Sequence, residues 1–258
     1  EIQMLCTEIL EKQKKGNLQI PENIDETNCS PFQIVIANDG STDGTVKAVH
    51  QFIRDQGYDN QIPIQVLTLK QNEGKGAAVR VGMVHSCNRG HLRLMVDADG
   101  ATNIASLRSL LESMKEKETT DIVFGSRAHL VNESKAQRSK ARTLLMNAFH
   151  FFVKTLCSSR IHDTQCGFKL FTKNAALALF QNLHLDRWAF DTELVVIAEN
   201  MGINIAEVGV EWQEIDGSKL HTGKLALISA SIGMLRDMVC VRACYWLGLW
   251  VLKKEKMD

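Results

Sequence analysis

Asp97 and Asp99 stand two residues apart in LRLMVDADGAT, directly after an apolar run that reads as a strand. Side chains at i and i+2 of extended backbone leave the same face, so the two carboxylates can share one divalent cation. A chain of this size holds roughly one Asp-x-Asp by chance, and a solvated turn is the plain alternative. Position favours chemistry, because carboxylates that close a buried strand must meet cations or open into a polar cleft. Two hard oxygen ligands suit Mg2+ or Mn2+, with water and phosphate oxygens filling the other positions. The pair therefore predicts metal-assisted binding of a diphosphate.

Asp39, in NDGSTDGT, also follows a strand-like run, where a carboxylate can accept from a base or a ribose. The bland reading is that Ser41 or Asp43 caps the next helix. Lys75, in QNEGKG, opens a helical pattern where an ammonium and flexible backbone suit an anion, although neither glycine-rich nucleotide fingerprint has this spacing. Arg127 comes straight after a strand in FGSR, and Arg138, Lys140 and Arg142 add charge beyond it, a run more commonly explained by a solvated helix face. Asp163, Asp191 and Glu193 are further polar candidates and Trp188 a stacking wall, each more often structural than chemical when read singly. No HExxH and no GxSxG occurs.

Positioning these groups calls for a particular order of elements. From residue 32 short β-branched runs alternate with helical patterns, the signature of parallel strands joined by crossover helices. Strands are expected at 32–37, 64–69, 92–96 and 121–124, with helices around 46–56, 77–87 and 104–117 between them. A small strand is expected within 203–212 and an apolar helix near 143–156. In open α/β sheets, ligands bind beyond the carboxyl ends of the strands. NDGSTDG, NEGKG, DADG and GSR all fall there, so four polar loops should converge on one crevice.

The composition sets limits on partners. The chain has 258 residues, 45% of them hydrophobic, and 30 basic residues balance 30 acidic ones. That balance argues against nucleic acid and makes any anion site local. The seven cysteines form no CxxC pair, so reduced thiols are expected and zinc is not. The tail, 225–258, is the most apolar part, but Arg236, Asp237 and Arg242 interrupt it before the roughly 18 to 20 apolar residues that span a bilayer. Its amphipathic pattern, with Trp246, Trp250 and a Lys-Lys pair, suits either a membrane surface or a core helix.

Taken together, IVIANDGSTDGT, NEGKGAAVRVGM, MVDADGAT, FGSRAHL, AQRSKARTLLMNAFHFF, DTQCGFKLF, RWAFDTELVVIA and EIDGSKL resemble the block series of family 2 glycosyltransferases. The likeness covers roughly residues 30 to 250 and lies nearest the members that glucosylate dolichyl phosphate. It implies a GT-A, Rossmann-like α/β fold: a mostly parallel central sheet flanked by helices, with a C-terminal amphipathic helical tail. The organisation so implied is an N-terminal remnant of helix and loop at 1–31, a catalytic domain at 32–224, and a membrane-associated tail at 225–258.

The resemblance also implies roles. Asp39 matches an acid that contacts the uridine, Lys75 lies beside the nucleotide, and Asp97 and Asp99 match the metal-holding pair, with Mg2+ or Mn2+ as cofactor. Arg127 and Arg142, with Arg138 beside them, match arginines that receive the lipid phosphate. Lys219 of GSKL matches a third cation at the reaction centre, and Asp191 an acid facing the sugar pocket; Asp99, Asp191, Arg127 and Lys219 form the catalytic set. The implied reaction is an inverting transfer of glucose from UDP-glucose to dolichyl phosphate for protein N-glycosylation. It implies the endoplasmic reticulum membrane, with the active site facing the cytosol. Transfer of mannose from GDP-mannose and a catalytically silent membrane-surface module are the competing readings. No PAYNE-like first strand precedes residue 32, and residue 38 is Asn where relatives often carry Asp. The chain is therefore expected to be a piece of a longer protein, short of one uridine wall and inactive alone.

Overall fold

The computed structural model describes residues 32–55, 63–86, 90–116, 119–130, 161–213 and 223–253, with the side chains of the last segment described from 232 onward. The chain begins with β1 (Ile34–Asn38), α1 (Thr45–Asp55) and β2 (Ile64–Thr68). Strands β1 and β2 are parallel, with Ile34 opposite Ile64 and Asn38 opposite Thr68. Val49, Phe52 and Ile53 recur at helical spacing on α1 and bury themselves against Ile34, Ile36, Ile64 and Val66. The crossover of a parallel pair must run over the sheet face, and this stripe is what attaches it there.

A four-stranded sheet is built from β3 (Leu92–Val96), β4 (Ile122–Ser126), β5 (Phe168–Thr172) and β6 (Ile205–Gly209), in the order β3-β5-β4-β6. Strand β5 is antiparallel to both neighbours, and β6 is parallel to β4. Strands β3, β4 and β6 thus share one direction, but β5 lies between β3 and β4, so two of the three ladders are antiparallel and the sheet of this α/β fold is mixed where a mostly parallel one was expected. The flanking helices are α2 (Lys75–Ser86), α3 (Leu107–Glu116), α4 (Lys173–Gln181), α5 (Phe190–Met201) and α6 (Gly223–Trp246).

The main core gathers Met83 of α2, Phe124 of β4, Phe171 of β5, Phe180 of α4 and Leu194 of α5. Phe171 meets Phe124 and Phe180 edge to face, with ring centroids 6.4 and 5.4 Å apart. Burying each such side chain is worth about 2 kcal/mol, so this layer holds the sheet rigid beneath its loops. A second cluster on the opposite face packs Leu110 of α3 against Val123, Phe168 and Leu170.

Several elements differ in detail from expectation. The helix expected over 104–117 is a short 3-10 turn, Ile104–Ser106, followed by α3, because the Asn103 side chain accepts from the Ala105 amide at 2.8 Å and tightens the entry. The expected strand within 203–212 narrows to β6, and Trp212 forms an isolated bridge with Thr102. Strand β5 and helices α4 and α5 were not anticipated as elements. The helix near 143–156, residues 1–31, Arg138, Lys140, Arg142 and Lys219 lie outside the described residues.

Candidate active site

The loop after β1 is tied to the loop after β2 by Asp39. Its carboxylate accepts from the backbone amide of Glu73 at 2.8 Å and from that of Gly74 at 3.0 Å, while Asn72 donates to its carbonyl. Gly40, with φ +65, lies against the Gln71–Asn72 peptide so closely that a Cβ would stand 2.5 Å from the Gln71 carbonyl carbon. Only glycine permits both the conformation and the approach. Asp39 therefore shapes the loop after β2 with its own carboxylate. Asn38 beside it is 6% exposed, accepts from Ser41, and directs an Nδ2 that has no partner among the described residues.

The second loop is tied to the third through Lys75 and Asp97. Lys75 opens α2, and its Nζ lies 2.7 Å from Asp97 Oδ2, with side chains 23% and 30% exposed, so the pair sits at a cleft surface and is not sealed. Trp188 and Phe190 stand over the ammonium, their ring centroids 5.6 and 6.0 Å away. Burial would lower the Lys75 pKa, but the carboxylates of Asp97, Asp191 and Asp99 outweigh it and hold the ammonium above its ordinary value. The carboxylate of Asp97 lies on Gly167, where any other residue would place its Cβ. Its backbone amide donates to the Gly167 carbonyl at 2.8 Å. Asp99, two residues on, accepts from the Ala101 amide at 3.0 Å, a short turn that orients its carboxylate.

Two carboxylates at one strand end are oxygen donors of the kind a hard cation takes, with water and phosphate oxygens completing its set. They do not match the four-ligand cage of structural zinc. Asp97 and Asp99 would hold such an ion.

Arg127, at the end of β4, makes a bidentate pair with Asp163: Nε to Oδ2 at 2.7 Å and Nη2 to Oδ1 at 2.8 Å, with its amide also on Oδ2 at 2.9 Å. Asp163 is itself fixed by its amide on Glu207 Oε1 of β6 at 2.8 Å. The Trp212 ring lies 5.4 Å from the guanidinium carbon. Burial acts to lower the guanidinium's pKa and to raise the carboxyl's; the hydrogen bonds and opposite charges override it, so Arg127 moves up and Asp163 moves down.

Asp191, in the first turn of α5, is 2% exposed, and its Oδ1 takes the Nζ of Lys169 at 2.7 Å. Lys169 is fully buried on β5, bonds the Cys166 carbonyl and lies 4.8 Å from the Phe124 ring centroid. Burial pushes the Asp191 carboxyl up, and Lys169 and Lys75 oppose it. Two residues further, Glu193 is sealed and accepts from the amides of His184 and Leu185, the His184 ring and Tyr245 Oη. Burial raises its carboxyl and these donors oppose the shift.

The structure thus brings Asp39, Lys75, Asp97, Asp99, Arg127 and Asp191 to one edge of the sheets. Sequence reasoning missed Gly167 and Lys169. A lysine in the centre of the apolar FKLF was the available signal, since a buried ammonium requires a carboxylate.

A cation, acid, cation corner at the carboxyl ends of an α/β sheet defines a chain suited to phosphorylated ligands. Residues 19–180 match the glycosyl transferase family 2 profile, and the chain belongs to that family. It is 48% identical over 225 residues to a dolichyl-phosphate β-glucosyltransferase of Dictyostelium discoideum, covering 86% of this chain and 66% of that one. Enzymes of the same name from Mus musculus and Homo sapiens are 44% and 43% identical, each covering 87% of this chain and 68% of the relative. The chain therefore spans about two thirds of the length of these relatives. Among solved structures, the M. tuberculosis glucosyl-3-phosphoglycerate synthase superposes with a TM-score of 0.51 at 14% identity, covering 81% of this chain and 68% of that one. A Pyrobaculum calidifontis mannosyltransferase, solved with GDP-Man and Mn2+, gives 0.50 at 16% identity, covering 92% and 70%. At these identities they show a shared fold.

Proposed function

We propose that this chain carries the catalytic part of a glucosyltransferase that moves glucose from UDP-glucose to dolichyl phosphate with inversion at the anomeric carbon. The names of the similar enzymes support the acceptor and the sugar. The observation that carries the reading is the corner itself: Lys75 2.7 Å from Asp97 at the end of β3, with Arg127, held by Asp163, at the end of β4. A transfer between two phosphorylated substrates must relieve anion repulsion on both sides of the reacting carbon, and cations flanking an acidic pair are arranged for that.

Asp97 and Asp99 would hold Mg2+ or Mn2+, which supplies Lewis-acid neutralisation of the departing diphosphate. Lys75 adds fixed positive charge beside them, with Trp188 over it. Asp39 keeps the loop of Glu73 and Gly74 in place for the nucleotide. Arg127, locked by Asp163, presents a rigid guanidinium to the acceptor phosphate, with Arg138, Arg142 and Lys219 as its proposed companions. A phosphate monoester has a second pKa near ~6, so the acceptor is mostly a dianion at neutral pH and needs no strong base. Asp191, closed against Lys169, acts in this scheme as a positioning group beneath the sugar pocket. The product serves protein N-glycosylation at the endoplasmic reticulum membrane, with the site toward the cytosol.

The test is transfer of labelled glucose from UDP-glucose to dolichyl phosphate, with and without chelator and with GDP-mannose as competitor, in the chain extended to the length of its relatives. Chelator-sensitive glucosyl transfer that Asp99→Ala abolishes is expected. Mannosyl transfer, or full activity in that variant, overturns the assignment.

A further inference from the structure

Each of the two cations of the site has a tryptophan against it. Trp188 stands over Lys75, and the ring centroid of Trp212 lies 5.4 Å from the guanidinium carbon of Arg127. Trp212 follows β6 and is half-buried, and its place is set by the loop that carries Asp99. It forms a bridge with Thr102, the Gln213 amide donates to the Ala101 carbonyl at 2.8 Å, and the Asn103 amide donates to the Glu211 carbonyl at 3.0 Å. The Asn103 side chain adds a bond to Glu211 Oε2 at 2.9 Å, and the Glu211 amide donates to Ser106 Oγ at 3.1 Å. Ala101 is also the residue whose amide donates to Asp99. It therefore holds the proposed metal ligand by its amide and the segment bearing the indole by its carbonyl. The ring is fixed relative to the acidic pair before any ligand arrives.

The guanidinium against this ring is only partly engaged. Nε and Nη2 face Asp163, which leaves Nη1 as the donor open to a ligand among the described residues, and the Arg127 side chain is 31% exposed. An anion taken there lies beside a rigid indole, part of which stays open. Inorganic phosphate gains nothing from such a ring, because each of its oxygens seeks water or a donor. A phosphate monoester of an apolar alcohol differs, since its first carbons follow the phosphate by one ester bond and fall on the apolar ring. We infer that Trp212 is the specificity-determining residue of the acceptor side, the floor on which the first carbons of a prenyl phosphate rest while Arg127 holds the phosphate. Arginine alone cannot make this choice, because its fork takes the oxygens of any phosphate. The inference deepens the lipid-acceptor reading and rests on it, but its test does not use sugar transfer.

The experiment is calorimetric titration of the 258-residue chain, without sugar nucleotide, with citronellyl phosphate and separately with inorganic phosphate. The parent is expected to bind citronellyl phosphate about tenfold or more tighter than inorganic phosphate. Trp212→Ala should bring the two within about twofold by weakening citronellyl phosphate alone. Trp212→Phe should keep most of the preference, which a general loss of folding could not do. A preference retained in Trp212→Ala overturns the assignment. So does equal weakening of both ligands in that variant, which would mean that the indole only steadies Arg127. Equal binding of the two ligands by the parent overturns it as well, and binding of neither overturns it together with the acceptor reading. Failure of glucose transfer with the preference intact counts against the catalytic reading alone.

Discussion

The carboxylate of Asp97 rests on the backbone of Gly167, a residue 70 positions later in the chain, in the space a Cβ would occupy. The same two residues share a backbone hydrogen bond of 2.8 Å. The aim of the proposed metal ligand is thus set by the absence of a side chain on another strand's approach.

Gly167→Ala should push Asp97 out of line with Lys75 and Asp99 without unfolding the sheet. The expected outcome is a loss of about a hundredfold in kcat/KM, equivalent to about 2.7 kcal/mol. Metal-dependent nucleotide heat should fall in parallel while the far-ultraviolet spectrum stays native. A fully active alanine variant would remove Asp97 from the machinery.

Lys169 and Asp191 form a pair whose side chains are 0% and 3% exposed. Removing one partner leaves a buried charge alone, so Lys169→Met or Asp191→Leu should each cost about 3–5 kcal/mol in urea unfolding. Replacing both together should recover much of that loss. Purely additive losses would show that the two do not depend on each other.

The Arg127–Asp163 pair should appear in the acid limb of stability. Asp163 has its carboxyl held below the usual range in the folded state, so its contribution is present above the unfolded value of about 4 and disappears as pH falls through the lower, folded value. Asp163→Asn should cost about 1–3 kcal/mol at neutral pH and flatten the loss of stability below about pH 4. Denaturant midpoints measured from about pH 3 to about pH 6 would check this; an acid limb identical to the parent's would contradict it.

Tyr245→Phe removes one donor to Glu193 while keeping the ring that packs beside Trp250. The expected cost is about 1 kcal/mol, with faster amide exchange in the last turns of α6 and unchanged exchange in α1. Uniformly faster exchange would mean that the clamp is not local.

Much of the site could be seen in advance, and the reason is local. The strands before Asp39, Asp97 and Arg127 are short, mainly apolar runs, and each leads into a polar residue of the candidate site. What escaped notice is non-local. Strand β5 is only FKLFT, with Lys169 at its second position, a pattern that periodicity reads as amphipathic until Asp191 supplies the partner. Helix α5 is buried from Phe190 to Ala198, so it shows no polar face to betray a helical period. The Asp163 contact to Arg127 spans 36 residues, a pairing no window of sequence reveals.

The insertion of β5 between β3 and β4 has a bearing on how the protein is made. Both earlier strands leave the ribosome with an edge that only residues 168–172 can fill, so a nascent chain carries two unzipped ladders across some forty further residues of synthesis. Polypeptides ending short of that point would expose both edges to neighbouring molecules, and aggregation of such fragments, rather than a partly working enzyme, is their natural fate.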